Sequence, residues 1–144
     1  MKLNLIKKDF ALYPATDEDA EMLMKMKRGE AYSCEVKMIR NYQFLKKYFA
    51  LFNLTWEYLN DQEQENFKTK ENLRKQVEIA AGHCETVWSI KRNEFIEQAG
   101  SVSFAAIDEA EFSIIYEGVK QVIFTFVLRG KISEEDFLNE LINF

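Results

Sequence analysis

Side chains able to hold a metal or act as a nucleophile are scarce in this sequence. One histidine, His83, stands beside Cys84 and behind Gly82, and Cys34 is the other thiol. A zinc site needs four thiolate or imidazole ligands at spacings such as paired CxxC, which three candidates cannot supply. A Cys–His catalytic pair needs the two side chains to meet, and neighbours on a strand point to opposite faces, so His83 is expected to be a loop or capping residue. Neither GxGxxG nor GxxxxGK[ST] occurs, which removes the common glycine-rich phosphate cradles. Carboxylates are plentiful in two sets, Asp108, Glu109 and Glu111, then Glu134, Glu135 and Asp136. A magnesium-dependent nuclease uses such groups, yet both sets fall at expected helix starts, where they cap free N–H groups and offset the helix dipole. The residues lean against enzymatic activity and call for no metal or cofactor.

Binding chemistry is better represented. Residues 40–59, RNYQFLKKYFALFNLTWEYL, carry seven aromatic side chains in twenty positions, with cations gathered at the front. Lys37, Arg40, Asn41, Tyr42, Lys46 and Lys47 form a basic and polar group where an expected strand passes into an expected helix. A helix N-terminus adds partial positive charge, so an anion such as phosphate suits this place. Lys70, Arg74 and Lys75, with Lys68 before them, extend the patch if the two helix starts share a side. Tyr42 or Trp88 could stack on a base, which together with phosphate contacts gives single-strand binding without sequence readout.

The elements that must position these groups follow from periodicity. Lys2 to Ile6 and Phe10 to Tyr13 alternate around Lys7-Lys8-Asp9 and read as a hairpin closed by Pro14. Thr16 with Asp19 caps a short helix ending at Gly29, and Ala31 to Ile39 alternates again as a third strand. In the aromatic stretch Leu45, Phe49, Phe52, Trp56 and Leu59 share one helix face, with Phe44, Tyr48, Leu51 and Tyr58 beside it. So wide an apolar arc belongs to a central helix gripped from two sides. Asn60 to Lys68 is polar and reads as a loop, after which Thr69 caps a helix that Gly82 ends. Cys84 to Ile90 and Phe95 to Phe104 form a second hairpin around Lys91-Arg92-Asn93. Asp108 and Glu111 box the start of a long helix carrying Phe112, Ile115, Tyr116, Val119, Ile123 and Phe126 on one side, stopped by Gly130. Ser133 with Asp136 opens a last short helix. Strands and helices cluster instead of alternating, so the expected class is α+β. An antiparallel sheet built from the first hairpin, the third strand and the later hairpin is covered by about five helices.

With 144 residues, 47% hydrophobic, and no Pro-, Gly- or Ser-rich linker or repeat, residues 1–144 are expected to form one domain with a sizeable core. The longest uncharged apolar run, near Val122 to Leu128, is far too short to cross a bilayer. The N-terminus lacks the apolar stretch of a secretory signal, and two cysteines cannot staple a fold, so a reducing, cytoplasmic location is expected. The net charge of −5 is unevenly spread. Residues 1–92 hold 16 basic against 14 acidic side chains, whereas residues 93–144 hold 3 against 10. One face could approach a polyanion while the other, with Glu109, Glu117 and Glu140, could meet a basic protein. Dimerisation would set two basic patches side by side.

The ordered blocks Lys37-x-x-Arg40-Asn41, Lys46 to Leu51 (KKYFAL), Ala80-Ala81-Gly82 and Ser101 to Phe112 (SVSFAAIDEAEF) resemble an uncharacterised family of phage and prophage proteins, labelled domain of unknown function 1367. The resemblance runs from about Leu5 to the C-terminus. Its pattern carries histidine where this chain has Leu45, which speaks against a catalytic or metal role at that position. The block from Arg40-Asn41 to Ala50 is also faintly similar to the recombination-mediator proteins of lambdoid phages, which bind single-stranded DNA. That similarity implies a phage-encoded accessory to DNA recombination or replication, with single-stranded DNA as partner. A module acting on a host or phage protein, without nucleic-acid contact, is the alternative.

Overall fold

Helix α2, Tyr42–Glu57, forms the centre of the larger of two structural units. The computed structural model describes residues 1–38, 41–100 and 107–143, and divides into units Met1–Met38 and Ile39–Phe144. Leu45, Tyr48, Leu51, Phe52 and Leu54 of α2 are buried, as the helical spacing of the aromatic stretch requires. Helices α3 (Asp61–Phe67), α4 (Lys70–Ala80), α5 (Glu109–Val122) and α6 (Glu134–Ile142) accompany it. Leu73 and Val77 of α4, Phe112, Tyr116 and Val119 of α5, and Phe137 of α6 join the same core. At about 25 cal/mol per Å2, each fully buried ring contributes about 4–6 kcal/mol of transfer free energy.

The expected caps are in place. Thr69 accepts from the N–H of Asn72, Ser133 accepts from Asp136, and Asp108 and Glu111 form a reciprocal capping box. Strands β3 (Cys84–Ser89) and β4 (Glu94–Ala99) pair antiparallel, with Asn93 in the left-handed region at φ 54° closing the turn. The expected continuation of β4 towards Phe104 falls on residues 101–106, outside the described residues.

The smaller unit pairs strands β1 (Leu5–Lys8) and β2 (Ala11–Pro14) and adds helix α1 (Asp17–Met24). Asp19, only 3% exposed, accepts from the Asn4 N–H at 2.8 Å and from the Thr16 hydroxyl at 2.6 Å, which ties the hairpin to the helix. α1 ends at Met24, before the expected Gly29.

Four expectations are corrected. Among the described residues no third strand forms: residues 31–38 join no strand, and every one is exposed. Alternation tells which face would be buried but does not supply the neighbouring ladder of N–H and C=O groups that a strand needs. The hairpins accordingly do not merge into one sheet. They are separate two-stranded sheets, one in each unit. The expected loop from Asn60 to Lys68 contains α3, because Asn60 accepts from the Glu63 N–H at 2.9 Å and Asp61 and Glu63 favour the first turn. That makes six α-helices among the described residues, one more than expected. Finally, the chain beyond α5 widens into a π-helical stretch, Ile123–Leu128, before Arg129 and Gly130 turn left-handed. Bonding to the fifth residue instead of the fourth shifts the buried side, so Leu128 is enclosed while Phe126 is 62% exposed. No helix is long and apolar enough to cross a membrane, among the residues described.

Candidate nucleic-acid interface

The start of α2 is held from the side instead of being capped. Asn41 makes no side-chain capping bond, and its amide donates to the Ile107 carbonyl just ahead of α5. The first turn holds no acidic residue. Tyr42 is half-buried, and Lys46 lies over its ring with the ammonium 5.8 Å from the centroid. Lys47 lies over a ring of α5 instead, its ammonium 4.6 Å from the centroid of Tyr116. Both ammonium groups belong to exposed residues, where such contacts are worth about 0.5–1 kcal/mol. Burial pushes the Tyr116 hydroxyl above its ordinary pKa, with Lys120 opposing and Glu117 reinforcing the rise, so the ring under Lys47 stays a neutral phenol at neutral pH.

Between α2, α5 and α6 lies a cleft of about 410 Å3. Phe44 and Phe112, stacked with centroids 4.4 Å apart and planes within 3°, belong to its wall, as do Gln43, Lys46, Lys47 and Leu141. Glu109 and Ser113 line it from α5. The cleft thus combines flat apolar rings with two cations and one carboxylate.

The remaining expected site residues are placed differently. Arg74 reaches α2, with its guanidinium carbon 5.6 Å from the Phe49 centroid, but Nη1 lies 3.0 Å from the buried Glu78 carboxylate. Lys75 pairs with Glu71 at 3.1 Å. Lys70 is half-buried in the first turn of α4. Lys37 belongs to the smaller unit, where its ammonium lies 3.3 Å from Glu35. Arg40 lies outside the described residues. Lys46 and Lys47 are therefore brought together at one cleft, whereas Arg74, Lys75 and Lys37 each face a carboxylate. Their acidic partners on α4 were visible in the sequence as i, i+4 spacings. The cleft rings Phe44 and Phe112, and Tyr116 under Lys47, were visible only as core positions.

The family model described as a protein of unknown function, DUF1367, matches residues 1–64 and 59–144. The chain belongs to the DUF1367 family. No curated protein and no solved structure matches it. For a DUF1367 chain, then, chemistry has to come from the side chains themselves. Among its described residues no group of three or more His, Cys, Asp or Glu side chains is placed to hold a metal ion. Of the carboxylates at the starts of α5 and α6, Asp108 and Glu111 cap the helix with reciprocal bonds of 2.7 and 3.2 Å, and Glu134 lies 3.5 Å from Lys120.

One acidic side chain from the negative C-terminal third has a measurable signature. A hydrogen bond to Glu140 is the main cause that pushes the Tyr58 hydroxyl up to about 12, with burial and the charges of Glu140, Asp136 and Glu57 adding to it. The raised value means that the contact is intact below the ordinary tyrosine pKa and is lost as pH rises through about 12. Glu140→Gln is expected to bring this titration down towards the ordinary tyrosine range, read by ultraviolet absorbance. An unchanged titration would remove Glu140 as the cause.

Proposed function

We propose that this DUF1367 chain is a phage- or prophage-encoded accessory protein without catalytic activity, which binds single-stranded nucleic acid during recombination or replication. The observation that carries the proposal is the pair Lys46 and Lys47, adjacent and exposed at the front of α2, each over an aromatic ring. Neither forms an ion pair with a carboxylate among the described residues. Partly ordered cations lose less side-chain freedom on gripping phosphates, and the uncapped helix start beside them favours negative charge. The net charge of −5 opposes the approach of a polyanion, but local charge governs contact because screening at physiological salt reaches only ~8 Å.

Fluorescence anisotropy with a short labelled single strand tests this. Binding is expected at ~20 mM salt and should weaken steeply as salt rises. Lys46→Glu with Lys47→Glu is expected to weaken it at least about tenfold and to reduce the salt slope by about 2. Absence of binding at that low salt would end the proposal.

The second function is a protein-interaction module acting on a host factor. The pairing of Arg74 with Glu78 and of Lys75 with Glu71 favours it, because it leaves fewer cations for phosphate. Glu109, exposed at the cleft, is the carboxylate that a basic partner would meet. A pull-down from host lysate that charge reversal of Glu109 leaves unchanged would count against that surface.

A further inference from the structure

On the outward face of the β3–β4 hairpin, Trp88 and Phe95 stand directly opposite each other in the strand register. Their rings meet edge to face at 5.0 Å, which occupies an edge of one ring and one face of the other. They remain 51% and 69% exposed, and Ile90 beyond them is 90% exposed. The neighbouring cross-strand pair, Val87 and Ile96, points the other way and is half-buried, with β4 running along α4. The hairpin therefore already has an apolar side for its own fold, and Trp88 and Phe95 are a second one. At the turn, Lys91 and Arg92 are exposed, and no carboxylate among the described residues pairs with either. Glu97, on the same face as the rings and opposite Thr86, marks the inner limit of the surface.

We infer that this hairpin is a second contact for single-stranded nucleic acid, in which a base stacks on Trp88 and Phe95 while its flanking phosphates lie at Lys91 and Arg92. The inference rests on the proposed single-strand binding and adds a site to it. Charge complementarity selects the occupant. Flat rings without sequence preference suit a base, and two cations at the turn that face no carboxylate among the described residues suit the phosphates on either side of it. Glu97 repels phosphate, so the strand crosses the tip of the hairpin instead of running along its length, and the contact spans one or two bases.

Oligothymidylate is the probe, with anisotropy and tryptophan emission as readouts. Trp88→Ala is expected to weaken binding about 5- to 100-fold, the range of one base–aromatic stack. Trp88 emission should be quenched on binding, and Trp88→Phe should remove the quench, because Trp56 packs against the core. Lys91→Glu with Arg92→Glu should lower the salt slope by about 2. All these positions are exposed, and unchanged circular dichroism and melting verify that each variant folds. Binding that Lys46→Glu/Lys47→Glu abolishes but Trp88→Ala leaves intact overturns the hairpin site alone. Absence of any binding overturns both sites. A wild-type dimer that Trp88→Ala splits into monomers, with oligothymidylate affinity unchanged, assigns the face to a second copy and overturns the inference as well.

Discussion

Glu78→Ala is expected to lower the unfolding free energy by about 3–5 kcal/mol, the cost of removing one member of a buried charge pair. Glu78 is fully buried on α4. Its Oε1 accepts from the Tyr48 hydroxyl at 2.6 Å and from Arg74 Nη1 at 3.0 Å, so a single oxygen joins α2 to α4. Its Oε2 has no hydrogen-bond partner among the described residues. Alanine takes the shared acceptor from the hydroxyl of Tyr48, a residue 1% exposed, and from Arg74, whose side chain is 19% exposed. Glu78→Gln keeps an acceptor for Tyr48 but removes the charge opposite Arg74, and should cost about 1–3 kcal/mol. Arg74→Met combined with Glu78→Leu and Tyr48→Phe replaces all three members by apolar groups of similar size and is expected to fall close to the wild type. Urea denaturation reads all three as shifts in midpoint at constant slope. A Glu78→Ala midpoint equal to the wild type would show that this carboxylate does not hold the two helices together. The same pair bears on function, since Glu78→Gln removes the negative charge of Glu78 beside Arg74. Should Arg74 reach phosphate in that variant, single strands will bind it more tightly than the wild type.

The sequence was most informative where structure is local. Caps at Thr16, Thr69, Asp108 and Ser133 depend on one side chain and an N–H group three residues on, and each forms. The burial of α2 follows from a helical period sustained over sixteen residues. What failed depended on distant partners or on backbone widening. The alternation from Ala31 onward had no edge to join, and the shift at Ile123–Leu128 changes the period itself. α3 was missed although its signal was present, since Asn60 and Glu63 have the spacing of a cap. At the site, the cations were legible and their availability was not. Ion pairs within α4 could be read from i, i+4 spacing, but the third member, Tyr48, is thirty residues from Glu78. The Phe44–Phe112 stack and the seat of Lys47 over Tyr116 likewise need the packing of α2 on α5. The outward pair Trp88 and Phe95 follows from alternation once the hairpin register is known.

Phe137→Ala should cost a further substantial part of the stability, about 3–5 kcal/mol for a fully buried ring, and its effect should be concentrated at one end of the fold. Phe137 packs edge to face on Phe124 at 5.2 Å and lies 6.1 Å from Tyr58, so it joins α6 to the π-helical stretch and to the end of α2. α6 has nine residues, too few to persist alone in water. Its other ties are weaker: the Ser133 cap, the contact between Glu134 and Lys120, the hydrogen bond between Glu140 and Tyr58, and Leu138 and Leu141, which are only partly buried against the core. Without the ring, α6 should therefore open before the rest of the larger unit. Hydrogen exchange should show faster exchange across residues 134–142 while α2 and α4 stay protected. Phe137→Leu, which retains most of the volume, should cost less than half as much. Since Leu141 of α6 lines the cleft beside Lys46 and Lys47, opening of this helix removes one wall of that cleft and leaves both cations on α2. Single-strand affinity in Phe137→Ala should then fall far less than in the Lys46→Glu/Lys47→Glu variant. An equal fall would mean that the cleft wall, and not the pair of cations, governs binding.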